Sequence, residues 1–115
     1  MTNTVKRFDA YFTFDGLTSE QQGTIRKLMD AQGLDIDLFE DTLEFNFEGR
    51  DLSDQVVEAF AKIALTIHEA TGEMRCEIDD DKCLDPTFEF YTIADSRLWR
   101  QSGRIVRETQ KHVVK

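Results

Sequence analysis

The sequence predicts a single α+β domain, and three observations support this prediction. Hydrophobic residues alternate with polar ones in several short segments, which is typical of strands that bury one face. In two longer segments the hydrophobic residues recur with the spacing of an amphipathic helix. The chain has 115 residues, of which 40% are hydrophobic, and this suffices for one core but not for two. Residues 1–115 are therefore expected to fold as one unit.

The first strand and the first helix have clear local signals. Residues 5–14 place a hydrophobic side chain at every second position, which predicts a half-buried strand. Thr18 and Gln21 then have the spacing of a capping box, in which each side chain accepts a hydrogen bond from the backbone N–H of the other residue. The helix that begins there is expected to end at Gly33, because glycine readily adopts the left-handed conformation found after helices.

Further strands are predicted where hydrophobic residues alternate again. Residues 36–38 and 43–47 fit two strands joined by a tight connection. Residues 74–78 fit a third strand, and this strand should bury Cys76 as a reduced thiol. After an acidic loop, residues 88–92 fit another strand.

A second helix is predicted between these strands. Asp51 or Ser53 would cap its start, and hydrophobic residues recur over 56–70 in a wide helical stripe. We expect this helix to end at Gly72.

Up to Ile78, the predicted order is strand, helix, strand, strand, helix, strand. This order resembles the ferredoxin-like βαββαβ layout, to which the strand at 88–92 would be added. We therefore expect an antiparallel sheet of four or five strands with two helices on one face. The resemblance concerns the layout alone and implies no function, because this layout carries many unrelated activities.

The basic C-terminal segment, residues 95–115, fits two structures. As a helix capped by Asp95 or Ser96, at about 100° per residue, it separates hydrophobic and basic side chains into different sectors. The basic sector and the aromatic residue beside it comprise Arg97, Trp99, Arg100, Arg104, Arg107 and Lys111. As a β-hairpin, the segment would turn at Ser102-Gly103. We favour the amphipathic helix, because a glycine in mid-helix costs only about 1 kcal/mol relative to alanine.

No sequence motif indicates catalysis or a bound cofactor. The acidic loop at residues 79–85 resembles the start of a calcium loop, but Leu84 and Phe90 occupy the positions that need glycine and glutamate. The two cysteines and two histidines lack the spacing of a zinc site. Neither histidine lies in a motif for nucleophilic catalysis, and no glycine-rich loop could bind a phosphate. We therefore expect no enzymatic activity, no metal and no cofactor.

The distribution of charge is the most distinctive feature of the sequence. The net charge is −9, but residues 1–96 carry 22 acidic and 8 basic residues, whereas residues 97–115 carry 6 basic residues and 1 acidic residue. Acidic residues are densest at 35–54. The positions that we predict to contact a partner are Asp35, Asp37, Glu40, Asp41, Glu44 and Glu48, with Asp79, Asp80 and Asp81 as a second patch.

This charge pattern leads to a functional hypothesis. We expect a non-enzymatic interaction protein of the inhibitor, immunity or anti-defence type, whose acidic surface docks on a basic partner protein, because complementary charge raises association rate and selectivity. The alternative is that the acidic residues only keep the protein soluble.

Two other functions use the basic segment. One is a regulatory or nucleic-acid-binding domain, which is disfavoured because the acidic body would repel a polyanion over roughly 8 Å. The other is a homodimer in which the basic helix of one copy meets the acidic edge of another. The sequence has no signal peptide and no apolar stretch of about 18 residues, so we expect a cytoplasmic protein that does not contact a membrane.

Overall fold

A computed structural model describes residues 4–49, 53–80, 87–103 and 112–114. Within these ranges the chain forms two helices and seven strands. In chain order, the elements are β1 (Thr4–Thr13), α1 (Ser19–Ala31), β2 (Asp37–Leu38), β3 (Thr42–Gly49), α2 (Ser53–Ile67), β4 (Thr71–Asp80), β5 (Thr87–Ala94), β6 (Arg97–Gly103) and β7 (His112–Val114). All seven strands belong to one sheet with the order β2-β3-β1-β4-β5-β6-β7. Each strand is antiparallel to its neighbours.

The prediction of a ferredoxin-like βαββαβ core with one added strand and a C-terminal helix is wrong. Three strands follow β4 in the described chain, so the sheet is wider than predicted. The expected basic helix is absent from the described part of residues 95–115, which extends the sheet as β6 and β7. The hairpin alternative misplaced its turn, because Ser102 and Gly103 are the last two residues of β6.

A tight turn at Asp95 and Ser96 explains why the C-terminal segment is not a helix. Both residues have positive φ angles, 54° and 60°, and they connect the paired residues Ala94 and Arg97. Positive φ at both central residues is typical of a type I′ turn, which directs the chain back along the preceding strand. Aspartate and serine favour such turns as well as helix starts. The same two residues were therefore compatible with either structure.

The local signals of α1 are confirmed. The Thr18 hydroxyl accepts a hydrogen bond from the Gln21 backbone N–H, and the Gln21 side chain accepts one from the Thr18 backbone N–H. The helix ends before Gly33, which has a φ of 70°. The N–H of Leu34 then donates to the carbonyl of Met29, as expected for a Schellman ending.

Helix α2 is present where the hydrophobic stripe predicted it, but it ends earlier. Its last residue is Ile67, and His68 with a φ of 70° terminates it. Gly72, which we predicted to end this helix, lies instead in β4. Neither of the two described helices is long and apolar enough to cross a lipid bilayer.

Both helices bury their hydrophobic stripes against the same face of the sheet. The ring of Phe60 on α2 packs against Phe12 on β1 and Phe45 on β3, with centroid distances of 6.2 and 5.3 Å. Ile25 and Met29 of α1 belong to the same buried cluster. Cys76 is buried there as a free thiol, as predicted. The opposite face of the sheet, which we call the open face, carries neither helix.

Candidate functional site

The open face collects acidic side chains from four neighbouring strands. Because neighbouring strands are in register, its side chains form rows across the sheet. One row, which we call the Tyr11 row, comprises Asp37, Glu44, Tyr11 and Glu73. Tyr11 lies between Glu44 and Glu73, and its side chain is 53% exposed. An exposed aromatic ring thus lies between two glutamates of the neighbouring strands.

A second row of the open face contains an arginine that partly neutralises its carboxylates. Arg7 lies between Glu48 on β3 and Glu77 on β4. Its guanidinium is 3.4 Å from the Glu48 carboxylate and 3.0 Å from that of Glu77, and Asp79 is 3.8 Å away. The charge of Glu48, followed by the hydrogen bond to Glu77, raises the pKa of Arg7. One guanidinium therefore serves three carboxylates.

The row between these two is balanced by a single pair. Arg75 on β4 lies opposite Asp9 on β1, and their charged groups are 3.5 Å apart. Both side chains are more than half exposed, so this pair contributes little to stability. Its effect is local, because it cancels one negative charge in the middle of the face. The Tyr11 row contains no basic residue.

The β2–β3 turn extends the acidic surface beyond the Tyr11 row. Glu40 and Asp41 are exposed in this turn, and Phe39 beside them is 55% exposed. Hydrogen bonds hold the backbone of the turn against the connection between β1 and α1. The carbonyls of Glu40 and Asp41 accept them from the N–H groups of Leu17 and Phe14 at 2.7 and 3.0 Å. The turn thus presents an acidic and aromatic edge in a defined position.

The structure brings together most of the predicted acidic contact residues. Asp37, Glu44 and Glu48 are exposed on the open face, Glu40 and Asp41 are exposed in the β2–β3 turn, and Asp35 is exposed in the segment before β2. Glu48 and Asp79 contact Arg7, so they are partly neutralised. The side chain of Asp80 and the whole of Asp81 lie outside the described residues.

Sequence reasoning missed other residues of the face, because strand pairing cannot be read from the sequence. Asp9, Glu73 and Glu77 join it from β1 and β4. Tyr11 had a recognisable signal, since it is the one large hydrophobic residue at an outward position of β1.

The two described basic residues of the C-terminal segment, Arg97 and Arg100, do not share one face as the predicted stripe requires. Arg97 and Arg100 are three residues apart on β6, so they lie on opposite faces of the sheet. Arg100 approaches Glu89 at 4.0 Å, and the indole N–H of Trp99 donates to the carbonyl of Ala94 at 3.0 Å. The remaining predicted residues, Arg104, Arg107 and Lys111, lie outside the described part of the chain.

Among the described residues no group of three or more potential ligands could hold a metal ion. Burial, followed by the charge of Glu89, raises the pKa of the Cys76 thiol to about 12, so at neutral pH it is not a thiolate nucleophile.

The side chains of His68 and Ser96 are in contact. His68 Nδ1 is 2.6 Å from the Ser96 hydroxyl, a contact that also occurs in enzymes that activate a serine. Here the backbone N–H of Ser96 donates to the carbonyl of His68 as well, at 2.9 Å. The pair therefore ties the end of α2 to the β5–β6 turn and has a structural role.

Comparisons of this chain with protein-family models, with curated proteins and with solved structures find no match.

Proposed function

We propose that this protein is a non-enzymatic interaction protein that docks on a basic partner protein through the acidic part of its open face. Inhibitor, immunity and anti-defence proteins act in this way, and a cytoplasmic location belongs to the proposal. The observation that supports it most is the Tyr11 row, where glutamates of the two neighbouring strands flank an exposed tyrosine and Asp37 follows next to Glu44.

Electrostatics favour a basic partner at this position. Among the described residues, no basic side chain forms an ion pair with Asp37 or Glu44. The adjoining β2–β3 turn adds Glu40 and Asp41, and the whole chain has a net charge of −9. A positively charged protein would be attracted over roughly 8 Å at physiological salt, which increases the rate of productive encounters.

Two exposed aromatic residues provide anchors within the acidic surroundings. Tyr11 and Phe39 are 53% and 55% exposed, and aromatic side chains are enriched among the residues that dominate binding energy at interfaces. The face of an aromatic ring also attracts the cationic groups of lysine and arginine, by about 0.5–1 kcal/mol at exposed sites. The acidic side chains and the aromatic rings therefore both favour lysine and arginine side chains of the partner.

The neighbouring row shows how the face holds a guanidinium. Glu48 and Glu77 on the two flanking strands both contact Arg7 of β1. Glu44 and Glu73 have the corresponding positions on either side of Tyr11, four residues further along β1. We infer that an arginine of the partner lies over the Tyr11 ring, near the carboxylate of Glu44.

The site is built on a rigid part of the fold. β1 is paired along its whole length, with β3 on one side and β4 on the other. A preformed surface loses little conformational entropy on binding. Glu48 and Asp79 should contribute less than Glu44, because their charges are already shared with Arg7.

Charge reversal in and beside the Tyr11 row tests the proposal. The protein is immobilised, a partner is captured from host extract at low salt, and its affinity is then measured with purified proteins. Reversing three charges, Asp37→Lys, Glu40→Lys and Glu44→Lys, should weaken binding by more than tenfold, or about 1.4 kcal/mol. The wild-type affinity should also fall as salt is raised.

A matched variant controls for net charge. Glu20, Asp30 and Glu69 are exposed and lie outside the Tyr11 row and its turn, and reversing these three changes the net charge by the same amount. This variant should bind nearly as well as the wild type. Equal losses in the two triple variants, or none in the first, would show that the open face is not the docking site.

A further inference from the structure

A groove lies on the helix-bearing side of the sheet, away from the open face. It has a volume of about 600 Å³ and runs along α2 next to β5 and β6. Val57, Ala61 and Leu65 form its hydrophobic wall, and because they are four residues apart they lie along one side of the helix. Leu65 is 64% exposed, which exceeds the exposure of Tyr11 and Phe39. The groove is thus bordered by a protruding hydrophobic side chain.

The floor of the groove is fixed by hydrogen bonding. Tyr91 is 1% exposed, and its hydroxyl donates to the Glu89 carboxylate at 2.8 Å. Arg100 lies 4.0 Å from the other oxygen of Glu89. Because these groups partner one another, the floor keeps its shape without a ligand.

The charges around the groove balance, unlike those of the whole chain. Among the described residues, its lining contains three basic and three acidic residues, which are Lys6, Lys62, Arg100, Asp54, Glu58 and Glu89. Elsewhere the protein is strongly acidic, so two copies would repel each other through most of their surfaces. The groove offers a second copy an approach where each acidic group can meet a basic one.

We propose that α2 and its groove form the interface of a symmetric homodimer. In a two-fold contact the same surface is used twice, so it must complement itself in shape and in charge. This surface has a projecting Leu65 and a groove that can receive it, together with equal numbers of opposite charges. Leu65 of each copy inserts beside Val57 and Ala61 of the other. Burial of the exposed part of Leu65 in each copy removes hydrophobic surface from water, and this favours association.

Sedimentation velocity of the full chain over a range of concentrations tests this interface. The wild type is expected to form a dimer that persists in about 1 M NaCl, because hydrophobic contacts are not screened by salt. Leu65→Lys should raise the dimer Kd by at least about tenfold. Ala61→Gln, which fills the groove without adding charge, should have the same effect. Circular dichroism shows whether each variant remains folded.

Phe39→Lys is the matched control, since it replaces an exposed hydrophobic residue of the β2–β3 turn with the same charged residue. This variant should dimerise like the wild type. A wild type that stays monomeric at every concentration would overturn the proposal, and so would equal weakening of the dimer by Phe39→Lys and Leu65→Lys. The two surfaces are separate, so Leu65→Lys should still bind a basic partner through the open face.

Discussion

Gly72 shows how one residue positions the Tyr11 row. Its φ of 106° is in the region that side chains rarely adopt. A Cβ added there would overlap the backbone carbonyl oxygen of Tyr11. β1 and β4 can therefore approach closely at this point only because residue 72 has no side chain.

Gly72→Ala should consequently destabilise the protein by more than about 2 kcal/mol, since a strained φ and a backbone overlap are combined. Urea unfolding measures this loss. Gly33→Ala is the control, because Gly33 has a φ of 70° but no atom within 4 Å of an added Cβ. It should cost only about 1 kcal/mol. Equal losses would mean that β1 and β4 move apart easily at Gly72.

Cys76 should make the stability of the protein sensitive to alkali. Burial raises the pKa of its thiol to about 12 in the folded state, whereas an unfolded chain has a value near about 8.5. The folded state therefore retains a proton that the unfolded state releases between these values. The resulting stability is present below about pH 8.5 and is lost as pH rises through about 12.

Between pH 7 and pH 10 this effect should lower the free energy of unfolding by about 2 kcal/mol. Tyr91 adds to it at higher pH, because burial and then Glu89 raise the pKa of its hydroxyl too. Urea unfolding at several pH values measures the slope. Cys76→Val should flatten it, and a variant with the wild-type slope would exclude the thiol as the cause.

At the scale of secondary structure, the contact between α2 and the β5–β6 turn can be tested by a double-mutant cycle. Ser96→Ala and His68→Ala should each destabilise the protein by about 1 kcal/mol, because either change removes the 2.6 Å contact. The double variant should lose less than the sum of the two, since the interaction can be lost only once. Thermal unfolding provides the measurement. Strict additivity would show that the side-chain contact contributes nothing.

Local signals in the sequence predicted individual elements better than their arrangement. The capping box of Thr18 and Gln21 depends on neighbouring residues alone, and it is present as predicted. The turn at Asp95 and Ser96 was misinterpreted because both residue types also begin helices. Arg97 and Arg100 matched a helical period by coincidence, because in the structure they lie on opposite faces of β6.

The candidate site could be predicted only in part, for a similar reason. The acidic stretch at 35–48 is continuous in the sequence, so its residues were recognised together. Arg7 and Glu77 meet although 70 residues separate them, and no periodicity reveals such a pairing. The partial neutralisation of Glu48 and Asp79 by Arg7 depends on this pairing, so it could not be predicted from the sequence.

At the scale of the whole molecule, the uneven charge should make stability depend on salt. With a net charge of −9, the folded state is destabilised by repulsion that added salt screens. The melting temperature should rise between about 20 mM and 500 mM NaCl. Arg7→Gln should steepen this rise, because it leaves Glu48, Glu77 and Asp79 without their shared cation.

Lys27→Gln removes the same charge from an exposed position of α1 and controls for net charge. Its salt dependence should match that of the wild type. If both variants respond to salt equally, total charge rather than the Arg7 cluster determines the effect.

The position of β1 in the sheet also has a consequence for biosynthesis. β1 is translated before β3 and β4, yet it lies between them in the sheet, and Thr4 pairs with Asp80. The hydrophobic residues of β1, including Phe8 and Phe12, thus remain without one of their two neighbouring strands until β4 has been translated. During that interval the hydrophobic face and one edge of β1 are exposed, and such exposure favours aggregation.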